Sequence, residues 1–126
     1  MPRMIAVQSK NCAPLLSALE DPQNWMRNFI PGRTIANGLA VPYPFGMNLI
    51  LKTLMESKGT AIAVEEEDII GGLREIAKIE GLLISPEGAA TWKALLHLIR
   101  IKEIGLSEKV LLLNTGSGYK YLENLY

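Results

Sequence analysis

A pair of glycines late in the chain stands where the backbone could pass close to a ligand. Residues 113–120 read LNTGSGYK, and they follow an apolar run, KVLL, that is typical of a β-strand. Glycine has no Cβ, so it permits both tight turns and the close approach of another group. Ligands of open α/β sheets bind beyond the carboxyl ends of the strands. The residues alone leave three interpretations open: a phosphate cradle, another part of a cofactor site, and a plain turn.

The TGSG sequence does not match either of the common phosphate-binding motifs. A P-loop ends in Gly-Lys-Ser/Thr, which is absent here, and Lys120 lies too near the glycines to serve as its lysine. The dinucleotide-binding fingerprint needs a third glycine, which is also missing. Local patterns therefore do not decide between a ligand loop and a glycine turn.

Few other residues have types and spacing suited to catalysis. Glu87 follows Ser85 and Pro86 at a predicted helix start, where a carboxylate is common for structural reasons, although ligand groups also favour such places. The single histidine, His97, and the single cysteine, Cys12, lie on separate segments without the spacing of a metal site or a triad. The acidic VEEED run is predicted to be a solvated helix start. We therefore predict no catalytic and no metal-binding residue.

The composition is that of one ordinary globular domain spanning residues 1–126. The chain is 48% hydrophobic and 21% charged, and its 13 basic residues balance 13 acidic ones. This balance excludes a bulk electrostatic attraction to nucleic acid or to an anionic membrane. A single cysteine cannot form an internal disulfide, and the sequence shows neither a signal peptide nor a membrane span. We therefore expect a cytoplasmic protein.

Strand-like and helix-like segments alternate along the chain. The predicted strands cover residues 3–9, 60–66 and 109–115, and the predicted helices lie within residues 12–20, 25–29, 45–57, 66–81 and 82–105. Such alternation predicts an α/β fold with three αβα layers and a small, mainly parallel sheet. Three or four strands are few for a doubly wound sheet. The chain therefore looks like part of a larger fold, or like a domain that completes its sheet by association.

Taken in order, four sequence blocks resemble the C-terminal part of threonine synthases. The blocks are TIANGLAVP, ESKGTAIAV, EGLLISPEGAA and TGSGYK, and the similarity runs from residue 2 to about residue 120. Threonine synthases are fold type II pyridoxal-phosphate enzymes, with the threonine and serine dehydratases as cousins. The resemblance implies the fold type II architecture and pyridoxal phosphate as the cofactor of the complete enzyme.

The resemblance also implies that essential parts of the cofactor site lie outside this sequence. In the family the cofactor forms a Schiff base with a lysine in an SFKDR-like segment, and its phosphate sits in a glycine-rich loop before the strand with which this chain begins. Neither segment is present. We therefore expect a truncated enzyme that is inactive alone and binds pyridoxal phosphate weakly or not at all. Its expected partner is an N-terminal half or a further copy of the chain.

The site residues that the resemblance implies belong to the other side of the pocket. Thr115 matches the family hydroxyl that approaches the pyridine nitrogen, and the backbone of Gly116, Ser117 and Gly118 would pass close to the ring. In the complete enzyme this site would convert O-phosphohomoserine, an amino-acid phosphate, and water into threonine and phosphate. The remaining implied positions are Glu87 and Gly88 on the cofactor side and Thr34, Ala36 and Asn37 on the substrate side.

Two further interpretations stay open at this point. One is a non-enzymatic module that binds an amino acid or pairs with a full-length relative as a regulatory or interaction protein. The other is a fragment of a threonine or serine dehydratase, because the residues that best discriminate these enzymes lie outside the sequence.

Overall fold

The computed structural model describes residues 2–124 and consists of short strands and helices in alternation. The strands are β1 (Ile5–Ser9) and β2 (Thr60–Val64); the α-helices are α1 (Pro14–Glu20), α2 (Trp25–Asn28), α3 (Met47–Glu56), α4 (Glu66–Glu80) and α5 (Pro86–Arg100); and two 3-10 helices cover Asn37–Leu39 and Gly118–Asn124. The predicted alternation of α and β elements is thus confirmed for the first hundred residues.

The two strands form a parallel sheet in which Ile5 lies opposite Thr60 and Ser9 lies opposite Val64. The ladder continues past the strand ends, where the Lys10 N–H donates to the Val64 carbonyl at 2.8 Å. Because the strands are parallel and in register, their carboxyl ends lie side by side. The polar residues that follow each strand are therefore brought to the same edge of the sheet.

The predicted third strand, over residues 109–115, is wrong for the part of the chain that the structure describes. The described sheet has two strands, and this segment runs without pairing to either of them. Its nearest β-contact is a single bridge between Ser117 and Ile84. A β-strand exists only when a neighbouring strand pairs with its backbone. The apolar run has the composition of a strand, but it carries no information about whether a neighbour is present.

Helices α4 and α5 form the larger hydrophobic core with one face of the sheet. Val7 and Ile62, which lie opposite each other, pack against this cluster, whose buried members are Ala36, Val64, Ile69, Leu73, Ala89, Ala90 and Ala94. Gly72 permits the close approach of the helices, since a Cβ there would lie 3.2 Å from the Ala89 carbonyl oxygen. Trp92 is only half-buried, and its indole N–H donates to Glu75 at 3.1 Å.

A smaller hydrophobic cluster lies between α1, α3 and the opposite face of the sheet. Its buried members are Leu15, Leu54 and Ala61, and Ala6, which lies opposite Ala61, packs against them. Successive side chains of a strand point to opposite sides of the sheet. The pair Ala6 and Ala61 therefore contacts one set of helices, and the next pair contacts the other set.

Among the helices of residues 2–124, none combines the length and apolar character needed to cross a membrane.

Candidate functional site

A cavity lies between β1, the start of α5 and the last part of the described chain. It is partly open to solvent and has a volume of about 300 Å³, and its apolar wall consists of Val7, Leu39 and Leu113. Its polar lining consists of Glu87, Thr91, Thr115, Lys120 and Tyr121, with the backbone of Gly38 and Gly116. One apolar wall and several hydroxyl or charged groups are the usual composition of a small-molecule site.

The start of α5 is fixed by the cap that the sequence predicts. Ser85 is fully buried, and its hydroxyl accepts a hydrogen bond from the Gly88 N–H at 3.3 Å. Pro86 occupies the first turn, where its missing N–H leaves no helix bond unmade. This arrangement holds Glu87 in the first turn, where it reaches the cavity.

Asn114 anchors the glycine-rich segment to this helix start. Its Oδ1 atom accepts hydrogen bonds from the Ser85 backbone N–H at 3.3 Å and from the Ser85 hydroxyl at 3.4 Å. The same oxygen occupies the space beside Gly88, where a Cβ would lie only 2.3 Å away. Thr115, the next residue, is thereby held at the cavity.

Contacts within the protein account for both glycines of TGSG. A Cβ on Gly116 would lie 3.1 Å from the Ser85 Cβ, and one on Gly118 would lie 2.5 Å from the Ile84 carbonyl oxygen. The Gly118 N–H donates to the Leu83 carbonyl at 2.9 Å. The glycines therefore let this segment pack closely on residues 83–85, and Gly116 in addition lines the cavity.

Glu87 joins three separate segments through one carboxylate oxygen. Its Oε1 atom accepts a hydrogen bond from the Gly38 N–H at 2.8 Å and from the Tyr121 hydroxyl at 2.9 Å. Partial burial raises the pKa of Glu87, but hydrogen bonds from backbone N–H groups and from hydroxyls outweigh it and bring the pKa below its ordinary value of 4.5. Burial, and then the bond to Glu87, raise the pKa of Tyr121. At neutral pH Glu87 is therefore an ionised acceptor and Tyr121 a neutral donor.

Thr115 and Ser117 differ in their surroundings although both carry hydroxyls. Thr115 is exposed and lines the cavity. A threonine hydroxyl can donate or accept, so it can meet either kind of ligand atom. The Ser117 hydroxyl accepts a hydrogen bond from the Tyr119 N–H at 3.3 Å and so supports the local turn.

None of the three predicted substrate-side residues lines the cavity. The Thr34 hydroxyl accepts a bond from the Ala36 N–H at 3.1 Å, Ala36 is fully buried in the larger core, and Asn37 is exposed at the start of a 3-10 helix. The next two residues, Gly38 and Leu39, reach the cavity instead.

The VEEED run contains a structural carboxylate that local reasoning missed. Glu66 accepts hydrogen bonds from the Ser9 hydroxyl and, at 2.9 Å, from the Ile35 N–H. It therefore fastens the 34–39 segment to the carboxyl end of β1. Asn114, Tyr121 and Gly38 were missed as well, because their contacts join segments that are far apart in sequence and leave no local signal.

His97 and Cys12 lie outside the cavity. His97 is exposed and its Nδ1 atom lies 3.0 Å from Arg100 Nη2. Cys12 is buried, and this burial raises the pKa of its thiol. Within residues 2–124, no group of three His, Cys, Asp or Glu side chains is placed to hold a metal ion.

A family model and several known proteins that match this chain point to the same family. The model of the family of pyridoxal-phosphate dependent enzymes matches residues 1–116. The chain belongs to this family. It is 27% identical over 116 residues to threonine synthase of Methanosarcina acetivorans, covering 92% of this chain and 29% of the relative. It is also 28% identical over 120 residues to threonine synthase of Mycobacterium tuberculosis (95% and 31%) and 25% identical to that of Methanocaldococcus jannaschii (95% and 30%).

These matches confirm the resemblance to threonine synthases that the four sequence blocks indicated. The chain spans about 30% of the length of the curated relatives that it matches. The relatives thus contain a large region that has no counterpart among these 126 residues.

Proposed function

We propose that this chain supplies one side of the pyridoxal-phosphate site of a threonine-synthase-like enzyme. The complete enzyme would convert O-phosphohomoserine and water into threonine and phosphate. The observation that carries the proposal is the meeting of Thr115, Gly116 and Glu87 at one cavity, because sequence similarity alone had assigned these separate segments to the cofactor.

The cavity suits the ring of the cofactor. Val7, Leu39 and Leu113 offer an apolar surface to a flat heteroaromatic ring, and Thr115 offers a hydroxyl in the same space. When bound, pyridoxal phosphate supplies an electron sink for reactions at the substrate's carbon atoms. The lysine and the phosphate loop that the resemblance implies would come from the region of the relatives that this chain does not cover. We therefore propose that the isolated chain does not catalyse the reaction.

Thr115 would set the protonation state of the ring nitrogen. A neutral hydroxyl donates a hydrogen bond to an unprotonated nitrogen, whereas a carboxylate at the same place would hold a proton on that nitrogen. Asn114 positions Thr115 by its two hydrogen bonds to Ser85. Glu87 holds the 3-10 helices Asn37–Leu39 and Gly118–Asn124 at the cavity, so its role would be to shape the site.

The proposed architecture is a single domain of the fold type II family with three αβα layers. Support comes from the alternation along the strands: Ala6 and Ala61 contact the cluster of α1 and α3, whereas Val7 and Ile62 contact that of α4 and α5. In the complete enzyme this two-stranded sheet would be extended by further strands.

A titration with pyridoxal phosphate tests the proposed function. This chain is substituted for the matched segment of the Mycobacterium tuberculosis threonine synthase, and cofactor affinity and the pH dependence of the bound cofactor's absorbance are measured. We expect Thr115→Ser to behave like the unsubstituted chain and Thr115→Val to lose about fivefold in affinity, since one hydrogen bond contributes about 1 kcal/mol. Thr115→Asp should shift the absorbance to that of the protonated ring at neutral pH.

Unchanged affinity and unchanged spectra in Thr115→Val and Thr115→Asp would contradict the assignment of Thr115. The isolated chain provides a second check through Lys120, which also lines the cavity. If the isolated chain alone develops a lysine-linked cofactor absorbance that Lys120→Ala abolishes, the reactive lysine is not outside this chain and the proposal fails.

A further inference from the structure

A second cavity lies beside the first turn of α4 and the last two turns of α5. It is lined by Asp68 of α4 and by Lys93, Leu96, His97 and Arg100 of α5, so it shares no residue with the candidate cofactor site. It is partly open to solvent and has a volume of about 180 Å³. Liquid water takes up about 30 Å³ per molecule, so the space suits a ligand of about six non-hydrogen atoms.

Opposite charges line this cavity without neutralising one another. Asp68 and Arg100 are both exposed, and neither forms an ion pair with another residue of the described chain. Lys93 is paired with Glu75, which lies outside the cavity lining. One carboxylate and two cationic groups are therefore arranged around the same space. Charges of opposite sign that are held apart attract a ligand that carries both signs.

Lys93 is held in place at the cavity by contacts along its length. Its side chain is 24% exposed, and its ammonium lies 3.5 Å from Glu75 Oε2. Its Cγ atom packs over Gly72, where a Cβ would lie only 2.9 Å away. The ammonium has three N–H donors, so the contact with Glu75 leaves others available for a ligand. A side chain that is already ordered loses less conformational entropy on binding.

Arg100 and His97 support each other at the end of α5. The Arg100 Nη2 atom lies 3.0 Å from His97 Nδ1. A guanidinium only donates, so Nδ1 is the acceptor and the proton of the neutral ring is on Nε2. The remaining guanidinium N–H groups stay available for a ligand. The α5 side of the cavity thus offers N–H donors, and the α4 side offers the Asp68 carboxylate as an acceptor.

We propose that this second cavity binds a small free α-amino acid in its zwitterionic form. The α-carboxylate would accept hydrogen bonds from Arg100 and Lys93, and the α-ammonium would donate to Asp68. Leu96 offers an apolar contact for a short aliphatic side chain. Alanine, with its carboxylate, its ammonium and one methyl group, has about the size that the volume allows. The inference does not rest on the proposed function, because none of these residues lines the candidate cofactor site.

A zwitterion fits the lining of this cavity better than a ligand of one charge. An anion such as phosphate would use the donors of α5 but would be repelled by Asp68. A cation would use Asp68 but would be repelled by Arg100 and Lys93. A ligand with adjacent positive and negative groups pairs with both sides, so no charge of the lining is left opposed.

Binding at this cavity can be followed through the ring resonances of His97, the single histidine of the chain. In NMR titrations of the chain we expect saturable shifts with L-alanine. Propionate and ethylamine each lack one of the two charged groups, so they should bind at least about tenfold more weakly. Calorimetry gives a second measurement on the cofactor-free chimera in which this chain replaces the matched segment of Mycobacterium tuberculosis threonine synthase. We expect the same order of affinities there.

Substitutions on the two sides of the cavity separate the two charged contacts. Asp68→Asn should lower the affinity for alanine at least about tenfold and leave propionate binding no weaker, because only the ammonium loses its partner. Arg100→Gln should weaken the binding of both ligands. The controls are Glu67→Gln and Arg74→Gln, each of which removes an exposed charge on α4 outside the cavity lining. We expect neither control to change the affinity for alanine.

Alanine binding that Asp68→Asn leaves unchanged in the chimera overturns the inference. Propionate or phosphate binding as tightly as alanine also overturns it, because the cavity would then be a site for simple anions. Loss of alanine binding in Asp68→Asn but not in Glu67→Gln supports it, even where the isolated chain does not fold. A chimera that shows this pattern and binds no pyridoxal phosphate supports the amino-acid site and contradicts the proposed function. One that binds the cofactor but not alanine does the reverse.

Discussion

The contact between Gly88 and Asn114 predicts that the effect of Gly88→Ala on the free energy of unfolding changes sign when Asn114 is replaced. An alanine Cβ at position 88 would lie 2.3 Å from Asn114 Oδ1 and would push this side chain away. Asn114 would lose its hydrogen bonds to the Ser85 N–H and hydroxyl. At about 0.5–1.5 kcal/mol each, and near the low end because both bonds are long, the loss is about 1–2 kcal/mol. Alanine gains about 0.5–1 kcal/mol over glycine within a helix, which offsets part of it.

We therefore expect Gly88→Ala to lower the free energy of unfolding by about 0.5–1 kcal/mol in urea denaturation. In an Asn114→Ala background the amide is gone and only the Cβ of residue 114, 3.2 Å from the added Cβ, has to shift, so the same substitution should become stabilising by at most about 0.5–1 kcal/mol. The matched control is Gly71→Ala within α4, where a Cβ would meet no atom within 4 Å. This control should be stabilising in both backgrounds.

The decisive quantity is the coupling energy of the double-mutant cycle, about 1–2 kcal/mol by this reasoning. If Gly88→Ala stabilises the chain as much as Gly71→Ala does, or if the cycle shows no coupling, the anchoring role of Asn114 is refuted. The slope of unfolding free energy against urea should stay the same in all variants, since their folded states expose the same surface.

Three further substitutions test the elements around the site by urea denaturation. Tyr121→Phe removes the hydrogen bond to Glu87 and should lower the free energy of unfolding by about 1 kcal/mol. An unchanged value would show that this hydrogen bond contributes nothing to stability. The folded pKa of Glu87 lies below 4.5, so its carboxylate stabilises the fold above that pH and loses this contribution as the pH falls through the folded pKa. We therefore expect the free energy of unfolding of Glu87→Gln to fall less than that of the unsubstituted chain between about pH 6 and about pH 3. Gly72→Ala should destabilise where its neighbour Gly71→Ala stabilises, since a Cβ at position 72 would lie 2.9 Å from Lys93 Cγ; equal effects would contradict the close packing of α4 on α5.

Local chemistry made most of the elements predictable. The start of α5 follows from Ser85 and Pro86, and the end of α4 follows from Gly81, which adopts a left-handed conformation with φ of 66°. The absence of strand pairing over residues 109–115 was not predictable in the same way, because strand formation depends on a neighbour that the sequence of the segment does not encode. The same limit applies to α5, whose apolar residues surround the helix but whose buried face is selected by α4 and the sheet.

The candidate site was predictable only where sequence similarity reached it. Thr115 and Glu87 could be assigned because the TGSG and SPEG blocks resemble threonine synthases. The bonds from Gly38 and Tyr121 to Glu87 span 49 and 34 residues, and no pattern of local spacing reports them. Ala36, which similarity assigned to the substrate side, is buried in the larger core, and its assignment stays a prediction.

The glycines of TGSG are poor reporters of cofactor binding, whatever their resemblance suggests. A Cβ at position 118 would lie 2.5 Å from the Ile84 carbonyl oxygen, and one at position 116 would lie 3.1 Å from the Ser85 Cβ. Alanine at either position would therefore press on residues 83–85 with or without a ligand. Loss of cofactor in such variants would therefore not identify a contact to the ring. Thr115 is exposed and lines the cavity, so its substitution should leave the fold intact. A change in cofactor spectrum at Thr115 without a change in stability is thus the result that separates a ligand loop from a glycine turn.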